Sequence, residues 1–160
     1  MRRLIVPFLV LTISLYGCRQ NVQKMITGDW QAIRWTNSEM TGYFTRIQTF
    51  IDTATFRCKM DGVSDIDSFK AALKHKADSM KTVYEQATKN TTLNFRKDST
   101  MLWTVNGMGV YSRFTIRDTE IVLKGNYQND IWKILGLNSN SLTIVMTGVK
   151  GYDTITYKRK

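Results

Sequence analysis

Few residues in this chain are of types that start chemistry. There are two cysteines, Cys18 and Cys58, and one histidine, His75, among 160 residues. Two thiols cannot form a four-cysteine zinc site or a disulfide framework. A single imidazole leaves a metal site or a His-based acid–base pair without its partners. His75 stands between Lys74 and Lys76; cationic neighbours disfavour its protonation, and a solvated side chain is expected. The carboxylates are scattered at positions such as Asp65, Asp67, Asp98, Asp118 and Asp153, in places that helix starts and turns explain. No nucleophile elbow, HExxH pair or phosphate loop is present. The expectation is a non-enzymatic protein with no metal and no cofactor. The remaining reactive group with a defined setting is the Cys18 thiol.

That setting is an address. Arg2 and Arg3 precede an apolar run from Leu4 to Leu15, too short for a bilayer span and of signal-peptide length. The run closes with Leu15-Tyr16-Gly17-Cys18. These four residues resemble the lipobox of bacterial lipoproteins. The resemblance implies a signal peptide at 1–17, cleavage before Cys18, and attachment of palmitate-type acyl chains at Cys18. Two or more chains anchor a protein stably, whereas one does so only marginally. Cleavage removes two arginines and no acid, which lowers the formal charge from +10 to +8. Residues 18–24 form a polar tether without the acidic cluster of a surface-export signal. A bacterial envelope location is expected, lipid-anchored in the outer membrane and facing the periplasm. Cys58 is left unpaired and reads as a small buried hydrophobe.

Stepping along the mature chain, 42% hydrophobic and 22% charged residues are globular proportions. Trp30, Ile33 and Trp35 sit among polar residues, as in a strand. Residues 40–60 carry both β-branched alternation and a weak helical stripe at Ile47, Phe50, Ala54 and Cys58; extended structure is expected. Residues 64–89 form the clearest helix. Ile66, Phe69, Leu73, Ala77, Met80, Tyr84 and Ala87 recur at helical steps, Ser64 and Asp67 make a capping-box start, and Asn90 suits the C-cap. From Thr91 the period becomes two. Alternating pairs such as Leu93/Phe95, Met101/Trp103, Phe114/Ile116, Leu142/Ile144 and Ile155/Tyr157 are separated by turn residues, Asn106-Gly107 foremost. The fold class is mainly β with one inserted helix, an antiparallel up-and-down meander. Closure into a barrel would bury its apolar face and remove its edges.

Gly28-Asp29-Trp30 in the first strand resembles the G-x-W opening of the lipocalin superfamily. In that superfamily a late Arg packs across the motif Trp, a role that Arg159 matches by position. Phe95-Arg96-Lys97-Asp98-Ser99-Thr100 is similar to the F-x-x-D-G-T hairpin of small lipocalin-like lipoproteins of the Bacteroidota, with Ser99 in place of Gly. The resemblance covers residues 25–36 and 91–160. It implies one lipocalin-like barrel domain over 25–160 with a helical insertion, structured at one end by Gly28, Trp30 and Arg159.

Two function classes follow. The first is a barrel that binds a small apolar or amphipathic molecule, such as a fatty acid. Trp35, Trp103, Tyr111, Phe114 and Trp132 would line its pocket, and the acid head would sit near Arg113 or Arg117. The second is a structural or interaction lipoprotein whose barrel is filled by its own side chains. Basic residues interleaved with aromatics from Arg96 to Arg117 also suit a nucleic-acid binder. An exported, membrane-anchored protein excludes that partner and leaves anionic lipid or envelope glycan for the charge.

Overall fold

The computed structural model describes residues 21–60, 65–124, 129–148 and 151–160. A short helix α1 over 21–26 leads into β1 (Gly28–Asn37). Two long helices follow, α2 (Ser38–Met60) and α3 (Ile66–Lys89). Seven strands complete the chain: β2 (Thr91–Phe95), β3 (Thr100–Val105), β4 (Met108–Arg117), β5 (Glu120–Lys124), β6 (Asn129–Leu137), β7 (Ser141–Gly148) and β8 (Gly151–Arg159). They pair antiparallel in sequence order, and β8 pairs back onto β1 to close an eight-stranded barrel. The meander therefore has no free edge.

Turn chemistry sets the register. Asn106 and Gly107 both adopt positive φ, at 49° and 83°, which matches the twist of the β3–β4 hairpin. Between β2 and β3 the Asp98 carboxylate accepts from the Thr100 amide at 3.1 Å and its hydroxyl at 2.6 Å. Ser99 itself takes φ 63° there. The Asn138 carbonyl similarly holds the amides of Asn140 and Ser141. The turns expected at 125–126 and between Gly148 and Gly151 fall largely outside the described residues.

Extended structure over 40–60 is overturned, because those residues lie in α2. Their β-branched side chains fit a helix through spacing. Thr41, Thr45, Thr49 and Thr53 each donate to the carbonyl four residues back, at 2.7–2.9 Å, which satisfies the hydroxyls locally. Asn37 caps the helix by accepting from the Met40 amide at 2.9 Å. The stripe at Ile47 and Phe50 then faces α3, where Phe50 meets Phe69 edge-on at 6.0 Å. The insertion is thus a helical pair. The cap of α3 is Asp65, one residue after Ser64, and its carboxylate accepts from the Ser68 amide and hydroxyl. Those two bonds hold the Asp65 carboxyl below its ordinary pKa. Asn90 is the C-cap.

The barrel has two unlike ends. At one end α1, the turns after β2, β4 and β6, and the chain end gather. Here Ile26, Trp30, Leu93, Phe95, Met101, Phe114 and Leu142 are among the fully buried side chains. At the other end β1 leaves for the helices and β2 enters from them. The helices pack on each other, on β1 and on β8.

Candidate ligand site in the helix-covered half of the barrel

The closed end is organised by Arg159. Its guanidinium lies 4.2 Å from the Trp30 ring centroid, and Trp30 has no solvent exposure. It donates to the carbonyls of Thr27 at 2.8 Å, Ser139 at 2.7 Å, and Met25. The Trp30 indole N–H donates to the Ile26 carbonyl at 2.7 Å. Gly28 at φ +134° leaves room for this arrangement, since a Cβ there would stand 2.6 Å from Arg159 Nη1. Gly28, Trp30 and Arg159 form one structural knot that seals the barrel behind α1.

The helix-covered half is built differently. β1 slips register between Ala32 and Arg34. This bulge pushes Ile33 outward, to 60% exposure, and turns Trp35 inward opposite Ile155. Trp35 then meets Tyr84 of α3 at 5.6 Å between ring centroids and Trp103 of β3 at 6.4 Å. Trp103 meets Trp132 of β6 edge-on at 5.6 Å. Strands from opposite sides of the barrel and one helix thus converge in a row of four aromatic side chains. Asp153 fixes its upper end. One carboxylate oxygen accepts from Trp35 Nε1 at 2.8 Å and from Asn37 Nδ2 at 2.7 Å. Asn37 also caps α2, so the tryptophan and the helix start share one anchor.

Polar atoms in and beside this row are left over. The Tyr84 hydroxyl, the Trp103 indole nitrogen and the Tyr157 hydroxyl are buried without a hydrogen-bond partner among the described residues. Tyr157 is fully buried. Burial raises the pKa of both phenols, and the Asp153 charge raises that of Tyr84 further. Trp103 lies close enough to Tyr157 to oppose its shift slightly, but the pair does not make a formed hydrogen bond. From outside, a groove of about 250 Å³ between β1 and α3 reaches Trp35 and Tyr84.

Of the five pocket residues expected from sequence, Trp35, Trp103 and Trp132 come together here. Phe114 points inward but meets Phe95 edge-on at 4.9 Å in the closed-end core. Tyr111 lies on the outer face at 67% exposure, beneath the Arg96 guanidinium at 5.8 Å. Arg113 and Arg117 alternate with buried Phe114 and Ile116 and are exposed on the outer face, so neither reaches the interior. Tyr84, Asp153 and Tyr157 join the site without having been singled out for it. Tyr84 was visible as part of the α3 stripe. The inward turn of Trp35 depends on a bulge that no residue type in β1 announces. His75 is exposed on α3. Cys18 and the Cys58 side chain lie outside the described residues. No cluster of three metal-ligating side chains occurs among the described residues.

The chain matches no protein-family model, no curated protein and no solved structure.

Proposed function

We propose that this chain is a lipid-anchored, non-enzymatic protein of the bacterial envelope whose barrel binds a small apolar or amphipathic molecule in its helix-covered half. One observation carries the reading: three polar atoms in or beside the aromatic row are buried without a partner among the described residues. A buried polar group without a partner costs about 1–3 kcal/mol, and native proteins keep few of them. A bound molecule that supplied the missing hydrogen bonds would offset that cost. The tryptophans would supply most of the apolar contact, and the groove between β1 and α3 a way in.

The barrel, the Gly28-x-Trp30 opening and the Arg159 contact support a lipocalin-like reading. Residues 2–18 support the anchor. No helix among the described residues is long and apolar enough to cross a membrane. Since α1 lies at the closed end, a tether from Cys18 leaves from that end and turns the helical pair away from the bilayer.

The closed-end half favours a second reading, a scaffold, because its own side chains fill it. Native mass spectrometry of the full chain purified from bacterial cells separates the two. A co-purified small molecule that is lost on replacing Trp103 by Ala supports the binding protein. Bare mass under all gentle conditions, with no added amphiphile retained, supports the scaffold.

A further inference from the structure

Resting on that ligand-site reading, we infer that the molecule taken up in the helix-covered half is a small monoanion, a carboxylate on an apolar or aromatic body, whose head lies in the groove between β1 and α3 within reach of Arg34 and Lys89. The groove holds about 250 Å³, just under the usual range for a drug-sized ligand, so its occupant is compact. Trp35 and Tyr84 line it and are half-buried, so part of each side chain is left for a ligand to cover. Ile33, pushed out by the bulge to 60% exposure, adds an aliphatic surface to the same lining. An apolar body finds its contacts there.

The charged residues of the groove set the head group. Arg34 of β1 and Glu85 and Lys89 of α3 line it, and all three are exposed. Two cations against one acid leave a single excess positive charge, which suits a monoanion. Arg34 owes its place to the bulge, which turns both it and Ile33 outward between Ala32 and Trp35. A guanidinium and an ammonium both make charge-assisted hydrogen bonds to a carboxylate. The C-terminal end of α3 carries partial negative charge that would oppose an anion, but its last carbonyls are occupied. Gln86 accepts from the Asn90 amide at 3.0 Å, Ala87 from the Thr91 hydroxyl at 2.7 Å, and Lys89 from Gln31 Nε2 at 2.8 Å. Asp153 is bonded to Trp35 and Asn37 and lies outside the described lining of the groove.

The test follows the indole N–H signals of the four tryptophans by NMR in the full chain at neutral pH, with the Trp35 signal assigned by its loss in Trp35→Phe. The probes are 2-naphthoate and 2-naphthamide, which share one ring system and differ in charge. The naphthoate should shift the Trp35 signal saturably at a concentration roughly fivefold lower than the amide needs, and added salt should narrow that gap. Arg34→Gln and Lys89→Gln should each weaken the naphthoate roughly two- to fivefold, the worth of an exposed charge pair. Glu85→Gln should strengthen it by a similar factor, and none of the three should change the amide. Equal or tighter binding of the amide, or a naphthoate indifferent to all three substitutions, overturns the anionic assignment and leaves the groove standing as a site. A Trp35 signal that neither probe shifts overturns the groove as a site, whereas native mass spectrometry of the parent and of Trp103→Ala judges the barrel reading separately.

Discussion

At the scale of single residues, Gly28, Trp30 and Arg159 show how a short motif becomes a contact. Their types and order were legible in sequence. What each does was not, because a guanidinium stacked on an indole far away in the chain depends on closure of β1 onto β8. Trp30→Ala should lower stability by about 3–5 kcal/mol, the cost of truncating a buried aromatic, read as a shift in the urea midpoint. Gly28→Ala should cost about 1–3 kcal/mol, because an L-residue is strained at that φ and its Cβ displaces Arg159. Tyr157 gives a pH dependence. Burial raises its pKa above the ordinary 10.0, so the folded state holds the phenol proton more tightly than the unfolded state does. The resulting stability is complete below pH 10.0 and is lost as pH rises above it. Urea titrations at pH 8 and pH 11 should show a smaller loss in Tyr157→Phe than in the parent.

Among the elements, the strands and turns from Thr91 onward were legible because an alternating pattern and turn residues specify a hairpin almost locally. α2 was not. Its threonines favour strands by propensity, and only their four-residue spacing, through bonds to preceding carbonyls, reconciles them with a helix. The bulge in β1 was equally hidden, and with it the facing of Trp35. Deleting Ile33 removes the extra residue and restores plain alternation from Ala32 through Arg34, so Trp35 should stay on the inner face. In a background where Trp30, Trp103 and Trp132 are Phe, the emission of Trp35 should then keep its wavelength and its shielding from acrylamide. The α2–α3 seam is shallower than a core. Phe69 is 38% exposed and Leu73 half-buried. Leu73→Ala should therefore cost about 1–2 kcal/mol, below the range for a fully buried leucine, as read by thermal denaturation.

For the whole molecule, the proposed function joins an anchor at Cys18 to the barrel. Cys18→Ala should abolish incorporation of a clickable fatty acid and release the protein from the membrane fraction in alkaline carbonate. Undiminished label in that variant would remove the anchor from the proposal. The barrel itself was legible in outline, since a long single-layer meander has nowhere else to bury its apolar face. The division into a filled end and an aromatic, partly unsatisfied end was not, because it depends on which side chains from distant strands share a height along the axis.

Closure of the barrel by its first and last strands has a consequence in time. Contacts between β1 and β8 join segments at opposite ends of the domain, and pairings so distant in sequence form slowly, since the loop entropy must be spent before they repay it. Until the final strand is available, β1 lacks one of its two neighbours, and Arg159 is not yet there to cover Trp30. A ribosome or translocation pore that still holds β8 therefore holds a barrel that has not closed. Such a chain can still be threaded, and the lock turns only when β8 is released.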